Sequence, residues 1–306
     1  MSLQLVIDAY TTLLQPFSAL ETLTGARLSL LDVLGALRLA LIMRQLKDGN
    51  YDSVPAHKQK ERESHSFFKD LCVLMVVVYG GEAFTAPWLG LAPSFLTSPT
   101  VPLLFTAAHV AVHVLPTVPP LSLELELPLT ILDGMTRTLL LTELVPGMLL
   151  NSQHSAINSS PFGLCLGSLL LANGGFFFVN LFSMLNPSGF ALATPTELQQ
   201  YGWTTLDLWV APIITGLHAL FTQPASQPFW QTANYYLNPY LKPMNDRLRP
   251  AGEPDREMIR AVCAVVLASA FAVRALKNFG PEYQNRGKVS TKQAKTSRSA
   301  PKQWAN

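Results

Sequence analysis

The chain is built from long apolar stretches separated by short polar interruptions. No charged side chain occurs in residues 83–123, 144–196 or 208–241. Proline, glycine and asparagine clusters subdivide these runs, as breakers do between helices. A helix needs about 20 mostly apolar residues to cross the ~30 Å hydrocarbon core of a bilayer. The pattern predicts seven such helices, near 27–45, 68–91, 100–116, 128–149, 162–186, 204–222 and 257–277. The first and last are the most polar, holding Asp32 and Arg38, and Arg260 and Arg274. Residues 1–25 read as an entry segment, with a short helix on the luminal or external surface carrying Leu5, Ile7, Leu13, Leu14, Phe17 and Leu20. Residues 26–277 form the seven-helix domain. From Asn278 the chain turns polar and basic, so 278–306 are expected to form a disordered tail. Such a tail either touches anionic lipid or stays solvated.

Composition sharpens this picture. Charged residues make up 14% of the chain and hydrophobic ones 49%, whereas a soluble domain carries about 25% charged residues. Mean hydropathy is +0.24. The net charge of +2 hides an uneven distribution, because Arg137 is the sole Lys or Arg from Leu71 to Leu241. This excludes a soluble enzyme and an acidic disordered chain. Asp8 and Glu21 precede the first basic residue, Arg27, so no cleaved signal peptide is expected. Basic residues favour the cytoplasmic side. With seven spans, one side collects Arg44, Lys47, Lys58, Lys60, Arg62, Lys69 and the basic residues of the tail, and the other collects Arg27 and the cluster from Lys242 to Arg260. The C-terminus is therefore expected in the cytoplasm.

The apolar stretches also repeat. Asp32 and Arg38 of the first predicted helix match Asp133 and Arg137 of the fourth. Leu71-Cys72 followed by Gly80-Gly81 in the second matches Leu164-Cys165 followed by Gly174-Gly175 in the fifth. Ala108-His109 in the third matches Leu217-His218 in the sixth. An offset of three crossings gives the two halves opposite orientations, the inverted arrangement common in transport proteins.

Four glycines and a few charges carry the candidate chemistry. Gly80, Gly81, Gly174 and Gly175 lie about 18 Å into their helices, near the midplane. Glycine costs about 1 kcal/mol relative to alanine in a helix interior. Paired glycines therefore point to a kink, a pore-lining break or close helix packing. Arg137 near mid-membrane needs a partner, water or a lipid headgroup. Asp133 lies one helical step away, so a buried ion pair and a functional charge both remain open. Asp32, Glu82, Glu143 and Asp207 are the other acids in or beside the spans, and Glu82 directly follows a glycine pair. His109 and His113 have metal-ligand spacing but no third ligand on their helix, so polar packing is expected and no metal. Cys72, Cys165 and Cys263 show no CxxC or Cys/His cluster. The phosphate-binding GxxxxGK[ST] loop, the GxSxG elbow and the HExxH motif are all missing. No enzymatic activity and no nucleic-acid partner are expected.

Seven spans, an inverted three-helix repeat, a mid-helix Gly-Gly in helices 2 and 5, an Asp in helix 1 and a basic residue in helix 4 resemble the trimeric intracellular cation channels. The resemblance implies a homotrimer whose protomers each enclose a pore lined by the glycine bends at Gly80, Gly81, Gly174 and Gly175. It implies potassium or other monovalent cations as the permeant species, the endoplasmic reticulum or another intracellular membrane as the location, and an anionic phosphoinositide lipid as the one bound group. Asp32 resembles the Asp of that family's helix-1 motif, with Leu30-Leu31 in place of two aromatics. Arg137 matches the Arg of its Lys-Glu-x-x-Arg motif, with Asp133 where the Lys would fall. The alternative reading is a secondary transporter with its substrate at the midplane between the repeats.

Overall fold

The computed structural model describes residues 3–17, 28–52, 66–199, 205–250 and 253–298. It is all-helical, with no strand among the described residues. The helices are α1 (Leu3–Leu14), α2 (Leu30–Asp52), α3 (Phe67–Leu89), the short α4 (Ser94–Thr97), α5 (Thr100–His113), α6 (Leu123–Leu139), α7 (Val145–Leu150), the short α8 (Ser155–Asn158), α9 (Pro161–Leu181), α10 (Leu206–Thr222), α11 (Pro228–Leu248) and α12 (Arg256–Arg298). Among the described residues, three stretches are long and apolar enough to cross a membrane: α3, α9 and Arg256–Phe279 of α12.

The predicted third and sixth spans are shorter than the pattern suggested. At 14 and 17 residues, α5 and α10 reach only about 21 and 26 Å. α5 stops because Pro116, Pro119 and Pro120 follow closely and cannot continue a helix. Arg44 of α2 closes its end, donating from Nη1 to the carbonyls of Val112 at 2.7 Å, His113 at 3.1 Å and Leu115 at 2.9 Å.

Proline also shapes the helix after Ser122. Pro146 has no N–H for the carbonyl four residues back, and its ring crowds that turn. The chain widens into a π-turn over Leu140–Leu144 that joins α6 to α7. Widening frees backbone oxygens, and hydroxyls meet them: Thr215 of α10 donates to Leu141 O at 3.1 Å, and Thr142 to Thr138 O at 2.8 Å. The π-turn thereby fixes the register of α6–α7 against α10.

The largest buried cluster lies where α10 meets α12, with Ile214, Phe221, Ile259, Leu267 and Phe271. A second gathers α2, α3 and α5 around Ala36, Ala40, Val73, Leu74 and Ala108. α6 and α12 pack closely because Gly134 faces Ala268, where an added Cβ would lie 2.7 Å from the alanine Cβ.

α1 docks on the other helices through Tyr10, which is buried and donates its O–H to Met135 O at 2.7 Å, among Leu31, Met135 and Ala264. Burial pushes the Tyr10 phenol above its usual pKa range. The chain from Pro228 to Leu248, given no helix by the apolar pattern, forms the 21-residue α11. α12 runs on to Arg298, over much of the stretch that composition assigned to a disordered tail. Residues 278–298 hold helix formers such as Glu282, Gln284 and Lys295, and the helix runs through Gly280 and Pro281. Residues 299–306 lie outside the described part.

Candidate functional site

The predicted glycines meet. α3 and α9 run antiparallel and unbroken through both pairs. An added Cβ on Gly80 would lie 3.0 Å from Gly175 Cα, and one on Gly174 would lie 2.7 Å from Gly81 Cα. Added carbons on Gly81 and Gly175 would fall on the backbone carbonyls of Leu171 and Val77 respectively. The four glycines are thus the crossing point, where two backbones touch with no side chain between them. Close approach is the one outcome among the expected alternatives that needs all four. Around the crossing, Phe84 and Phe178 meet edge to face at 5.9 Å. Thr85 donates to Gly81 O at 2.8 Å, and Asn173 to Leu169 O at 3.1 Å.

The charged candidates separate into different roles. Asp32 caps α2. Its Oδ2 accepts from Ser29 N at 2.8 Å and Ser29 Oγ at 2.7 Å, while Asp32 N donates to Ser29 Oγ at 3.2 Å. This reciprocal capping box satisfies orphan donors and sets a negative charge at the helix N-terminus. Asp32→Ala is expected to lower stability by about 1 kcal/mol, read as a small fall in melting temperature in detergent with no change in any transport property. Glu82 caps the short α4, accepting from Ser94 N at 2.5 Å and Ser94 Oγ at 2.7 Å. Glu143, at the π-turn, pairs with Arg260 of α12.

Asp133 joins a cluster that crosses between helices. Arg38 of α2 is 7% exposed; its Nη2 donates to Glu126 Oε2 at 2.7 Å and its Nε lies 3.5 Å from Asp133 Oδ1. Its Nη1 and Glu126 Oε1 are buried without a hydrogen-bond partner. The sequence pattern does not single out Arg38 or Glu126 as site residues. Arg38 did carry a signal, as a basic side chain midway along the first predicted span, aligned by the repeat with Arg137. Glu126 fell just outside the predicted fourth helix, because α6 begins at Leu123. Arg137 sets its guanidinium over the buried Phe271 ring, 5.4 Å from the centroid, and Arg274 approaches the same ring at 4.5 Å.

His109 and His113 line a cavity of about 240 Å³ at the far ends of α2 and α5 from the Asp32 cap, together with Arg44, Lys47 and Asp70. Both imidazoles pack on Phe67, with centroids at 4.9 and 5.1 Å. Lys47 pairs with Asp70. No cluster of three metal-ligand residues occurs among the described residues.

Neither protein-family models, nor characterised proteins, nor solved structures give a match to this chain.

Proposed function

We propose that the protein is a monovalent-cation channel of an intracellular membrane, with potassium as the expected permeant ion, and that the crossing of α3 and α9 is its closed constriction. The observation that carries this reading is the contact between the two glycine pairs. Interlocked side chains would resist separation, since a packed interior repacks in steps. A glycine-on-glycine contact has no interlocked side chains at the point of closest approach, so fewer side chains must repack when it opens. Opening by the width of an ion would leave a gap lined mainly by helix backbone at the glycines.

In this proposal α2, α3 and α5 form one inverted repeat and α6–α7, α9 and α10 the other, with α12 as the seventh crossing. Three protomers assemble, and the C-terminus faces the cytoplasm. A protease added to sealed, cytoplasm-side-out vesicles should then remove a tag placed after Asn306; a protected tag would reverse the orientation. The deciding measurement for function is a planar-bilayer recording of purified protein in potassium chloride. Unitary currents support a channel. Saturable exchange without unitary steps favours a transporter built on the same helices.

Arg137 supplies the second test. Held over Phe271 on the α6–α12 seam, its charge acts on cations from a fixed point. Arg137→Gln is expected to leave the protein folded and to change single-channel conductance or open probability at least twofold. An unchanged current from a folded variant removes Arg137 from the conduction machinery.

A further inference from the structure

The helix that the apolar pattern missed has the build of a membrane-interface anchor. α11 is pinned at both ends to the starts of two helices that are long and apolar enough to cross a membrane. At its front, Gln227 is fully buried and donates from Nε2 to Asn158 O at 2.8 Å and to Ser160 O at 3.2 Å. Ser160 is the N-cap of α9, receiving Gly163 N at 3.0 Å. At its back, Leu248 O accepts from Asp255 N at 2.8 Å, and Asp255 caps α12 through Met258 N at 3.0 Å. Arg249, next along, donates to Phe221 O at the end of α10 at 2.7 Å. Three helix ends therefore fix α11 at one level, the level where α9 and α12 begin.

Pro239 and Pro243 bend α11 back on itself. Residues 11 apart lie about 16 Å apart along a straight helix, yet the Asn234 and Asn245 carboxamides meet at 3.2 Å. Asn245 also donates to Asn238 Oδ1 at 3.0 Å, and Asn234 to Leu220 O at 3.1 Å. The asparagines thus hold the bend shut on the protein side. The opposite face is aromatic: Tyr235 is 76% exposed, Tyr236 72% and Tyr240 84%. Lys242 and Arg247 stand exposed farther along.

We infer that this tyrosine face lies in the boundary between lipid headgroups and acyl chains, and that the bent α11 anchors the protein at that surface. Tyrosine has an apolar ring and a hydroxyl that wants water, and the membrane interface satisfies both. Lys242 and Arg247 place their stems along the boundary and their charges among phosphates. A fully aqueous loop at this position would leave three adjacent rings in water for no gain. The occupant is the bilayer interface itself, because α9 and α12 lead from the same level into the apolar core.

The test uses the unaltered protein in phosphatidylcholine vesicles containing one of two photoreactive phospholipids, with the diazirine either next to the glycerol or at the acyl terminus. Mass spectrometry locates the adducts. Val266, exposed ten residues into α12, serves as the depth reference and should react with the acyl-terminal probe. Tyr235, Tyr236 and Tyr240 are expected to react at least fivefold more with the glycerol-proximal probe than with the terminal one. Equal labelling by both probes would put the helix deep in the core and overturn the proposal. Oxidation of the three tyrosines by hydroxyl radicals without lipid adducts would place them in water, with the same consequence. Interchain dityrosine at Tyr240 without lipid adducts would show a second copy covering the face, and would also overturn it.

Discussion

Gly175→Ala is expected to prevent normal packing of α3 on α9, lowering stability by about 3 kcal/mol or more. The added methyl lands on the Val77 carbonyl, with Val76 O also close. Flexible side chains move aside from such a clash, but these obstacles are backbone inside a hydrogen-bonded helix. The two helices must separate or shift register, and the buried residues beside the crossing, Asn173 and Val179 among them, must follow. Gly81→Ala meets the Leu170 and Leu171 carbonyls and should behave alike. Gly147→Ala is the control. Nothing lies within 4 Å of its added carbon, so in the interior of α7 it should gain up to about 1 kcal/mol from helix propensity alone. Thermal unfolding in detergent, followed by size-exclusion chromatography, should separate the three variants cleanly. Wild-type melting of Gly175→Ala would show that the crossing is looser than described. In the proposed channel, potassium flux falls together with assembly in Gly175→Ala and Gly81→Ala.

Arg38→Met should be the most damaging single charge removal in the protein. It deletes a cation that is hydrogen-bonded to Glu126 and lies within ion-pair distance of Asp133. A carboxylate left buried without its partner costs about 3–5 kcal/mol. The test is rescue. Arg38→Met combined with Glu126→Gln and Asp133→Asn removes the uncompensated charge while keeping the shapes, and should recover most of the loss, because an ion pair replaced by neutral groups of similar volume is often nearly neutral. Failure of the triple variant to recover would mean that Arg38 acts through packing of its stem against α6. Arg137→Gln loses at least its cation–π contact with Phe271, worth about 1–2 kcal/mol.

Helix positions were legible in the chain because they depend on local properties. Apolar run length, proline and glycine placement and the scarcity of charge located α3, α5, α6–α7, α9 and α10 to within a turn or so, and the starts of α2 and α12, but ended α2 near residue 45 and α12 near residue 277, short of Asp52 and Arg298. The same local reasoning identified Gly80, Gly81, Gly174 and Gly175 as unusual, since paired glycines are costly inside helices, but it left a kink, a break and a close contact equally open. It missed α11, whose prolines, asparagines and tyrosines break the apolar pattern. That helix is held by side-chain amides reaching to other helices, and periodicity carries no trace of them.

Only the tertiary structure decided which charge faces which. Asp32 and Glu82 look alike in sequence, as acids in or beside apolar helices, yet both spend their oxygens on nearby helix starts. Asp133 sits one turn from Arg137 and also takes Arg38, 95 positions earlier in the chain. Such choices depend on the rotation and register of one helix against another. Register is set by the summed fit of many small contacts, here Gly134 on Ala268, Gly81 on the Leu171 carbonyl and Thr215 on the π-turn. No short stretch of sequence contains that sum. The sequence determined that this chain forms apolar helices with glycine contact points; the packing determined that those points coincide and that Arg38 lies buried between two acids.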